Sequence, residues 1–281
     1  MTSDVTTTPT SYVRSTRGGL PVITWPALQR PDVDAHVTTR DGGVSSGSYA
    51  SLNLGLHVGD RDEDVLVNRT RVADALGVRL DDFVFCEQVH RPSVTVVTEE
   101  ERGRGARSRT DAMTATDALV TAVPGIVLVV MVADCVPLVL FDPVSRVLAC
   151  VHAGWGGTVR GVTTAALTTM ASLGSDPANV IAGIGPAIHP DRYQVDADVV
   201  EMAETVFGNR VSQVVRPDGT GRWIFDLWRA NMIQLADAGV PDAQVHVAAL
   251  GTGPGSRFFS HRSEGSCGRF AAVARLRETM E

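Results

Sequence analysis

Cysteine is sparse in this chain of 281 residues: only Cys86, Cys135, Cys150 and Cys267 are present. No two of them form a Cys-x-x-Cys pair, which excludes the compact finger-type metal sites built from such pairs. No run reaches the roughly 20 apolar residues of a membrane helix, so no membrane association is expected. A secretory hydrophobic region is also missing at the start, and the expected location is the cytoplasm, with thiols rather than two disulfides. Excess positive charge is absent as well. The net charge of −7 argues against nonspecific binding to nucleic acid, which needs a basic surface. A small-molecule partner is the better expectation, with the chain a monomer or a homodimer.

What is present is a generous apolar fraction, 44% of residues, ample for a sizeable core. The first twenty residues, rich in Thr and Ser and lacking periodicity, are expected to form a mobile tail. Residues 21–281 are expected to form a single domain. Asp62 is placed to cap a helix running to Leu76, with Val65, Arg69, Val72 and Leu76 at helical spacing and Gly77 as its stop. Further helices are expected over Thr158–Leu173, Asp196–Phe207 and Asp226–Ala238, the last closed by Gly239. Ile126–Ala133 and Val147–Cys150 read as buried strands. Strands alternating with helices predict an α/β or α+β domain. The charged, glycine-bearing stretch 99–107 reads as a solvated loop ahead of a substrate lid.

Each buried strand delivers one polar group at its end, Cys135 after Ala133-Asp134 and His152 after Cys150-Val151. His90 arrives upstream in Cys86-Glu87-Gln88-Val89-His90. A thiolate and two imidazoles suit zinc, and three protein ligands leave the fourth tetrahedral position open, as in catalytic sites. The spacings, 45 residues from His90 to Cys135 and 17 from Cys135 to His152, match no compact finger. On the residues alone the other reading stands beside it, a small buried cysteine and structural histidines. Strand period places Cys86, Gln88 and His90 on one face, and Cys150 with His152. Gln88 is then a candidate to orient His90 or touch substrate. Cys150 is a rival ligand, ranked below Cys135 because it lies deeper in the strand.

Asp134 has two readings, a general acid or base or a carboxylate bonding backbone N–H groups at the turn. Gly154, Gly156 and Gly157 precede the helix expected from Thr158, and such a glycine-rich lead-in suits either an anion or tight packing. Arg69, Arg160, Arg262 and Arg269 are the candidate cations.

The motifs Gln88-Val89-His90, Asp117-Ala118-Leu119-Val120-Thr121, Ala133-Asp134-Cys135-Val136-Pro137, His152-Ala153-Gly154-Trp155, Gly183-Ile184-Gly185-Pro186-Ala187-Ile188 and Phe258-Phe259-Ser260-His261-Arg262 resemble those of the laccase-domain family. Its members carry the label multicopper polyphenol oxidase or purine nucleoside phosphorylase. The resemblance runs in order from about Leu52 to Gly268. It implies that His90, Cys135 and His152 bind zinc, and that two mixed sheets pack face to face with helices outside, a four-layer α/β/β/α sandwich of α+β class. That fold arises by internal duplication, although no repeat is visible in the sequence. Three positions depart from the family pattern: Gly156 replaces an Arg, Leu250-Gly251-Thr252 replaces a Cys-Thr pair, and His261 stands where Tyr is usual.

The resemblance implies phosphorolysis of adenosine, inosine and methylthioadenosine to base and ribose 1-phosphate, with deamination of adenosine. Zinc lowers the pKa of its water toward about 7, which suits deamination; phosphorolysis relies on orienting phosphate against C1′. Cys135, Asp134 and His152 are the expected catalytic residues, with Gln88, Gly154, Gly156, Arg69, Arg160 and Arg262 around the substrate. The alternative is an amide hydrolase editing a nucleotide-linked peptidoglycan precursor, through zinc or through Cys135 as thiolate with His152 as base. A zinc-stabilised binding protein without turnover is the third reading. Four-copper oxidation is not expected, because a trinuclear copper cluster needs many converging imidazoles. The seven histidines, at 36, 57, 90, 152, 189, 246 and 261, include no two that are two apart. Copper in a Cys-His-His site would be adventitious.

Overall fold

Residues 127–132 read Val-Leu-Val-Val-Met-Val and are buried without exception, the pattern of a β-branched strand covered on both faces. The computed structural model describes residues 11–278. It opens with β1 (Val13–Arg17), β2 (Leu20–Thr24) and β3 (Val33–Thr38). Helix α1 (Asp62–Leu76) follows, then β4 (Phe83–Phe85), β5 (Val94–Val96) and β6 (Ala118–Thr121). Three long strands come next, β7 (Val127–Val132), β8 (Val136–Asp142) and β9 (Val147–Ala153). They lead to α2 (Trp155–Val159), α3 (Val162–Ser172), β10 (Ile181–Ile184), β11 (Gln194–Val195) and α4 (Ala197–Phe207). The chain ends with β12 (Val215–Pro217), β13 (Trp223–Phe225), α5 (Leu227–Asp237), β14 (Val245–Val247), α6 (His261–Glu264) and β15 (Phe270–Leu276).

The strands form a first sheet in the order β1-β2-β3-β15-β7-β4, a second in the order β14-β10-β8-β9-β6-β5, and a small β11-β13-β12 sheet. Both large sheets are mixed: β4 runs parallel to β7 in the first, and β5 to β6 and β10 to β14 in the second. Alternation along each strand sorts the layers. Leu128 and Val130 face the second sheet, where they join Val139, Phe141, Leu148 and Cys150 in the central core. Val127 and Val129 face outward and pack with Val72 and Ala73 of α1. Beyond the second sheet, Leu138 and Val151 meet Ala166 and Met170 of α3 and Ile233 of α5. The order is helix, sheet, sheet, helices: the α+β four-layer α/β/β/α sandwich that the resemblance implies.

Helix α1 has the bounds expected, and Gly77 ends it in the left-handed conformation at φ 66°. Its cap is Arg61 rather than Asp62; Asp62 is the first helical residue and, with Glu63 and Asp64, favours the positive end of the helix dipole. The single helix expected over Thr158–Leu173 is broken into α2 and α3 at Gly161, whose φ of 82° no right-handed helix accommodates. Residues 13–17 of the expected tail pair antiparallel with β2, and the rest of that tail up to residue 10 lies outside the described residues. The 99–107 stretch is a solvated loop only in part, with Glu99, Glu100 and Arg107 exposed. A capped turn at Glu99–Glu101 leads into Ala106, which is fully buried, and the Gly105 and Ala106 carbonyls accept from Arg69. Among the described residues no helix is long and apolar enough to cross a membrane.

Trp25 reaches across the central core, fully buried, and its Nε1–H donates to Ile184 O at 3.2 Å. Its indole lies on Gly183 so closely that a Cβ there would stand 2.6 Å from Cδ2. Gly183→Ala is therefore expected to destabilise the protein by about 1–3 kcal/mol through overpacking. Urea unfolding checks this, and an unchanged midpoint would refute the close packing.

Candidate metal centre and cavity

Because β4 and β7 are parallel neighbours, their C-terminal ends share one rim of the first sheet. From that rim the chain passes twice to the second sheet, from β4 to β5 and from β7 to β8. His90 lies on the first crossing and Cys135 on the second. His152 arrives from the second sheet itself, near the end of β9, opposite Pro137 of β8. The topology thus brings three distant residues to one edge of the sandwich.

Cys135 Sγ lies 3.7 Å from His90 Nε2, and the donor atoms of His90, Cys135 and His152 all fall within 4.8 Å of one another. Tetrahedral zinc bonds of about 2.0–2.3 Å set neighbouring donors about 3.3–3.8 Å apart, so only a small closure is needed. Beside them Gly154 leaves the space that a metal site requires. A Cβ there would stand 2.7 Å from His90 Cδ2 and 2.8 Å from Cys135 Sγ. The three donors form a group able to hold a metal ion.

Asp117, whose role sequence reasoning missed, organises this group from beneath. It is fully buried, and His152 Nδ1–H donates to its Oδ1 at 2.8 Å. That bond fixes the tautomer and turns Nε2 toward the donors, as carboxylate partners do for metal-binding imidazoles. The same carboxylate accepts from the backbone N–H groups of Val89, His90 and Arg91 at 3.1, 2.9 and 2.9 Å. Burial alone would raise its pKa; the His152 bond and the backbone donors outweigh that and lower it. Cys135 behaves alike. Burial raises a thiol, but the charge and hydrogen bonds of His152 and His90 bring it below its ordinary value. His152 is raised against the effect of its own burial, by the Cys135 charge and the Asp117 bond, so the two shifts together favour a thiolate beside an imidazolium when no metal is bound.

The rival cysteines do not compete. Burial pushes the Cys86 and Cys150 thiols up, and Cys150 Sγ–H donates to Leu128 O inside the central core. Gln88 does not orient His90, because both ends of its amide are spent on Met131. Nε2 donates to the carbonyl at 2.6 Å and Oε1 accepts from the N–H at 2.8 Å. Asp134 stands at φ 96° with Oδ1 accepting from Thr252 Oγ1 at 2.5 Å and Oδ2 from the Arg262 N–H at 2.6 Å. Its carboxylate holds the 252 and 262 segments against the site, which is the backbone-bonding alternative.

A cavity of about 590 Å³ opens over the donors, within the usual size for a small-molecule site. Gln88, Asp134, Arg69, Arg262 and Arg269 line it as expected, together with Trp155, Tyr193 and His261. His57 and Arg109, both on loops without periodic signal, also line it and were not foreseen. Arg160 is not in this cavity. Its Nη1 donates back to Gly156 O at 2.8 Å and its side chain borders a separate surface groove. A Cβ at Gly156 would meet that same Nη1 at 2.8 Å, the movable end of a long side chain, so packing alone does not require this glycine.

The family model described as multi-copper polyphenol oxidoreductase laccase matches residues 34–277. The chain belongs to this family. A relative, the purine nucleoside phosphorylase YlmD of Geobacillus stearothermophilus, is 38% identical over 247 residues, which cover 87% of this chain and 90% of the relative. The purine nucleoside phosphorylase of Deinococcus radiodurans is 37% identical over 273 residues, covering 93% of this chain and 95% of its own. The crystal structure of the Geobacillus YlmD superposes with a TM-score of 0.90 at 36% identity, over 96% of this chain and 100% of that one. The Bacillus licheniformis hypothetical protein YfiH gives 0.85 at 35%, over 89% and 98%. In this member of the laccase family, His90, Cys135 and His152 are the one group of three metal-type donors found among the described residues. Such a set matches a mononuclear site and not a trinuclear copper cluster.

Two outcomes follow from this geometry. Asp117→Asn should lower metal affinity about 10–100-fold by loosening His152 and the His90 loop; competition with a chromophoric chelator measures it, and unchanged affinity would assign that orientation elsewhere. In metal-stripped protein, iodoacetamide should label Cys135 with a pH midpoint below the ordinary thiol value of about 8.5. Bound metal should suppress the labelling. A midpoint at or above the ordinary value would contradict the thiolate–imidazolium pair.

Proposed function

We propose that the chain is a zinc-dependent purine nucleoside phosphorylase of the cytoplasm, acting on adenosine, inosine and methylthioadenosine, with adenosine deaminase activity. The observation that carries this reading is the three-donor group at the floor of a partly aromatic cavity. The names of the relatives agree with it. Zinc held by His90, Cys135 and His152 would supply Lewis acidity and water acidified toward about pKa 7.

The chain's own residues do the rest. Trp155 and Tyr193 give a purine apolar surface to pack on. Asp134, by fixing the Arg262 backbone, sets that arginine over the Tyr193 ring, 5.0 Å from its centroid. In phosphorolysis a phosphate oxygen forms the bond to C1′ as the bond from C1′ to N9 breaks; the electron pair stays on the base, which takes up a proton. Holding the two reactants in line within one cavity removes much of the entropic part of that barrier.

The lowered Cys135 thiol beside the raised His152 imidazole favours a second reading, the amide hydrolase. Sγ bonds the carbonyl carbon as the C–N bond breaks, the leaving amine takes the proton of His152, and water then hydrolyses the thioester to acid and free thiol. Metal separates the two readings, since chelation stops the phosphorylase and spares a thiol route. Chromatography of inosine incubations should show hypoxanthine and ribose 1-phosphate only when phosphate is present, and adenosine without phosphate should yield inosine. His90→Ala, Cys135→Ala and His152→Ala should each lose bound zinc and at least about 100-fold in rate while keeping their circular dichroism. Full activity in metal-free Cys135→Ala would overturn the proposal.

A further inference from the structure

Every one of the 25 basic side chains in this sequence is an arginine, and four of them, Arg69, Arg109, Arg262 and Arg269, line the cavity. Against them stand two carboxylates. Asp134 has both oxygens engaged by Thr252 and Arg262, and Glu87 Oε2 accepts from the Ala115 N–H. The cavity is thus cationic inside a chain whose net charge is −7.

Arg69 is the most unusual of the four. It is only 2% exposed, yet among the described residues it pairs with no carboxylate. Nε and Nη1 donate to the carbonyls of Leu54, Gly105 and Ala106, and the guanidinium lies 3.7 Å over the Phe85 ring. Nη2 has only the weak acceptor Met131 Sδ, at 3.9 Å, on the cavity wall. A buried charge left without a counter-ion is costly, and an anionic ligand would offset that cost. Gly55 brings two more groups to the same wall: a Cβ there would lie 3.0 Å from Arg269 Cγ and 3.3 Å from His57 Cε1. Arg109 is exposed, and its guanidinium has no hydrogen-bond partner among the described residues.

We propose that Arg69, Arg109, Arg269 and His57 form a subsite for a tetrahedral phosphate oxyanion in the cavity that also holds His90, Cys135 and His152. The positive surroundings agree: desolvation, then the charges of Arg269, Arg69 and Arg109, push the His57 pKa down to about 4. A neutral imidazole and three guanidiniums supply donors and charge to a group with three or four acceptor oxygens. The glycine-rich turn that the sequence offered for this purpose is a poorer site. Helix α2 has only five residues, and Gly154 at its cap is accounted for by the close approach of His90 and Cys135. Inorganic phosphate as the ligand rests on the phosphorylase reading, whereas a phosphate ester carried on a nucleotide would present the same chemistry.

The test is calorimetric titration of zinc-loaded wild type, Arg109→Ala, His57→Ala and Arg160→Ala with inorganic phosphate and, separately, with uridine diphosphate, alongside KM for phosphate and for inosine. Arg69→Ala is not used, because it removes three buried hydrogen bonds. The expected result is a rise of about tenfold or more in phosphate Kd and in its KM for Arg109→Ala and His57→Ala. KM for inosine, zinc content and circular dichroism should hold, and Arg160→Ala should match wild type. If only uridine diphosphate binds, and Arg109→Ala weakens it as much, the subsite stands with a nucleotide phosphate and the phosphorylase reading falls. If phosphorolysis proceeds with phosphate affinity unchanged in both variants, the phosphorylase reading stands and the subsite is overturned. Failure of both probes to bind wild type would also overturn it.

Discussion

The buried carboxylate of Asp117 is the interaction on which the rest of the site depends. An ionised group with no solvent contact is tolerated only where hydrogen bonds satisfy it, at a penalty of several kcal/mol otherwise. Asp117 gathers four donors: three successive backbone N–H groups at 89–91 and the imidazole of His152. It immediately precedes β6, which pairs with β9 in the second sheet, and the loop it captures leaves β4 in the first. One carboxylate therefore ties the two sheets together at the rim and aims two metal-type ligands. The metal geometry is a consequence of satisfying that charge.

The same rim stores backbone strain. His90 and Asp134 are non-glycine residues at φ 58° and 96°, a region costing about 1–3 kcal/mol for each. Both costs are offset by polar anchoring of the residue concerned. The His90 N–H donates to Asp117, while Asp134 receives Thr252 and Arg262 on its carboxylate and the Ile188 N–H on its carbonyl. Asp134 reverses the chain between β7 and β8 within three residues, which leaves Cys135 standing at the edge of the sandwich instead of inside it. The Thr252 hydroxyl, donating to Asp134 Oδ1, holds its own segment against this turn.

What was legible in the sequence was whatever repeats along a regular element. β7, α1, α4 and α5 were visible because apolar residues recur at the period of a strand or a helix. Arg69 fell on the buried stripe of α1 at helical spacing with Val65, Val72 and Leu76 and was a candidate for the substrate site, but nothing in the sequence showed that it would lie on Phe85. The three metal-type ligands were visible because two of them follow apolar runs and all three sit in family motifs. Asp117 also stands in one of those motifs, but nothing there marked its role; an acid before a four-residue strand looks like any turn residue until its donors converge. Gln88 shows the limit of parity, since sharing a face with His90 could not reveal that its amide would pair with Met131. The break at Gly161 was hidden for a related reason. A lone glycine in a helical pattern costs only about 1 kcal/mol, and its positive φ is set by the packing of α2 and α3.

Charge provides the clearest case of a global quantity misleading about a local one. A net charge of −7 weighs against long polyanions, whose many phosphates require a broad basic face. It says nothing about a single oxyanion in an enclosed site, where a few guanidiniums at low-dielectric walls concentrate the field. The two scales are compatible: a local excess of arginine at the cavity admits a small anionic ligand, while the net negative charge of the chain disfavours a polymeric one. The absence of lysine sharpens this arrangement, because guanidinium groups bury at less hydration cost than ammonium groups and keep their charge when desolvated. Arg69, held by three carbonyls and an aromatic face, keeps its charge in place whether or not an anion is bound. Arg69 is thus fixed before an anion arrives, and the ordering that opposes binding falls mainly on the exposed Arg109.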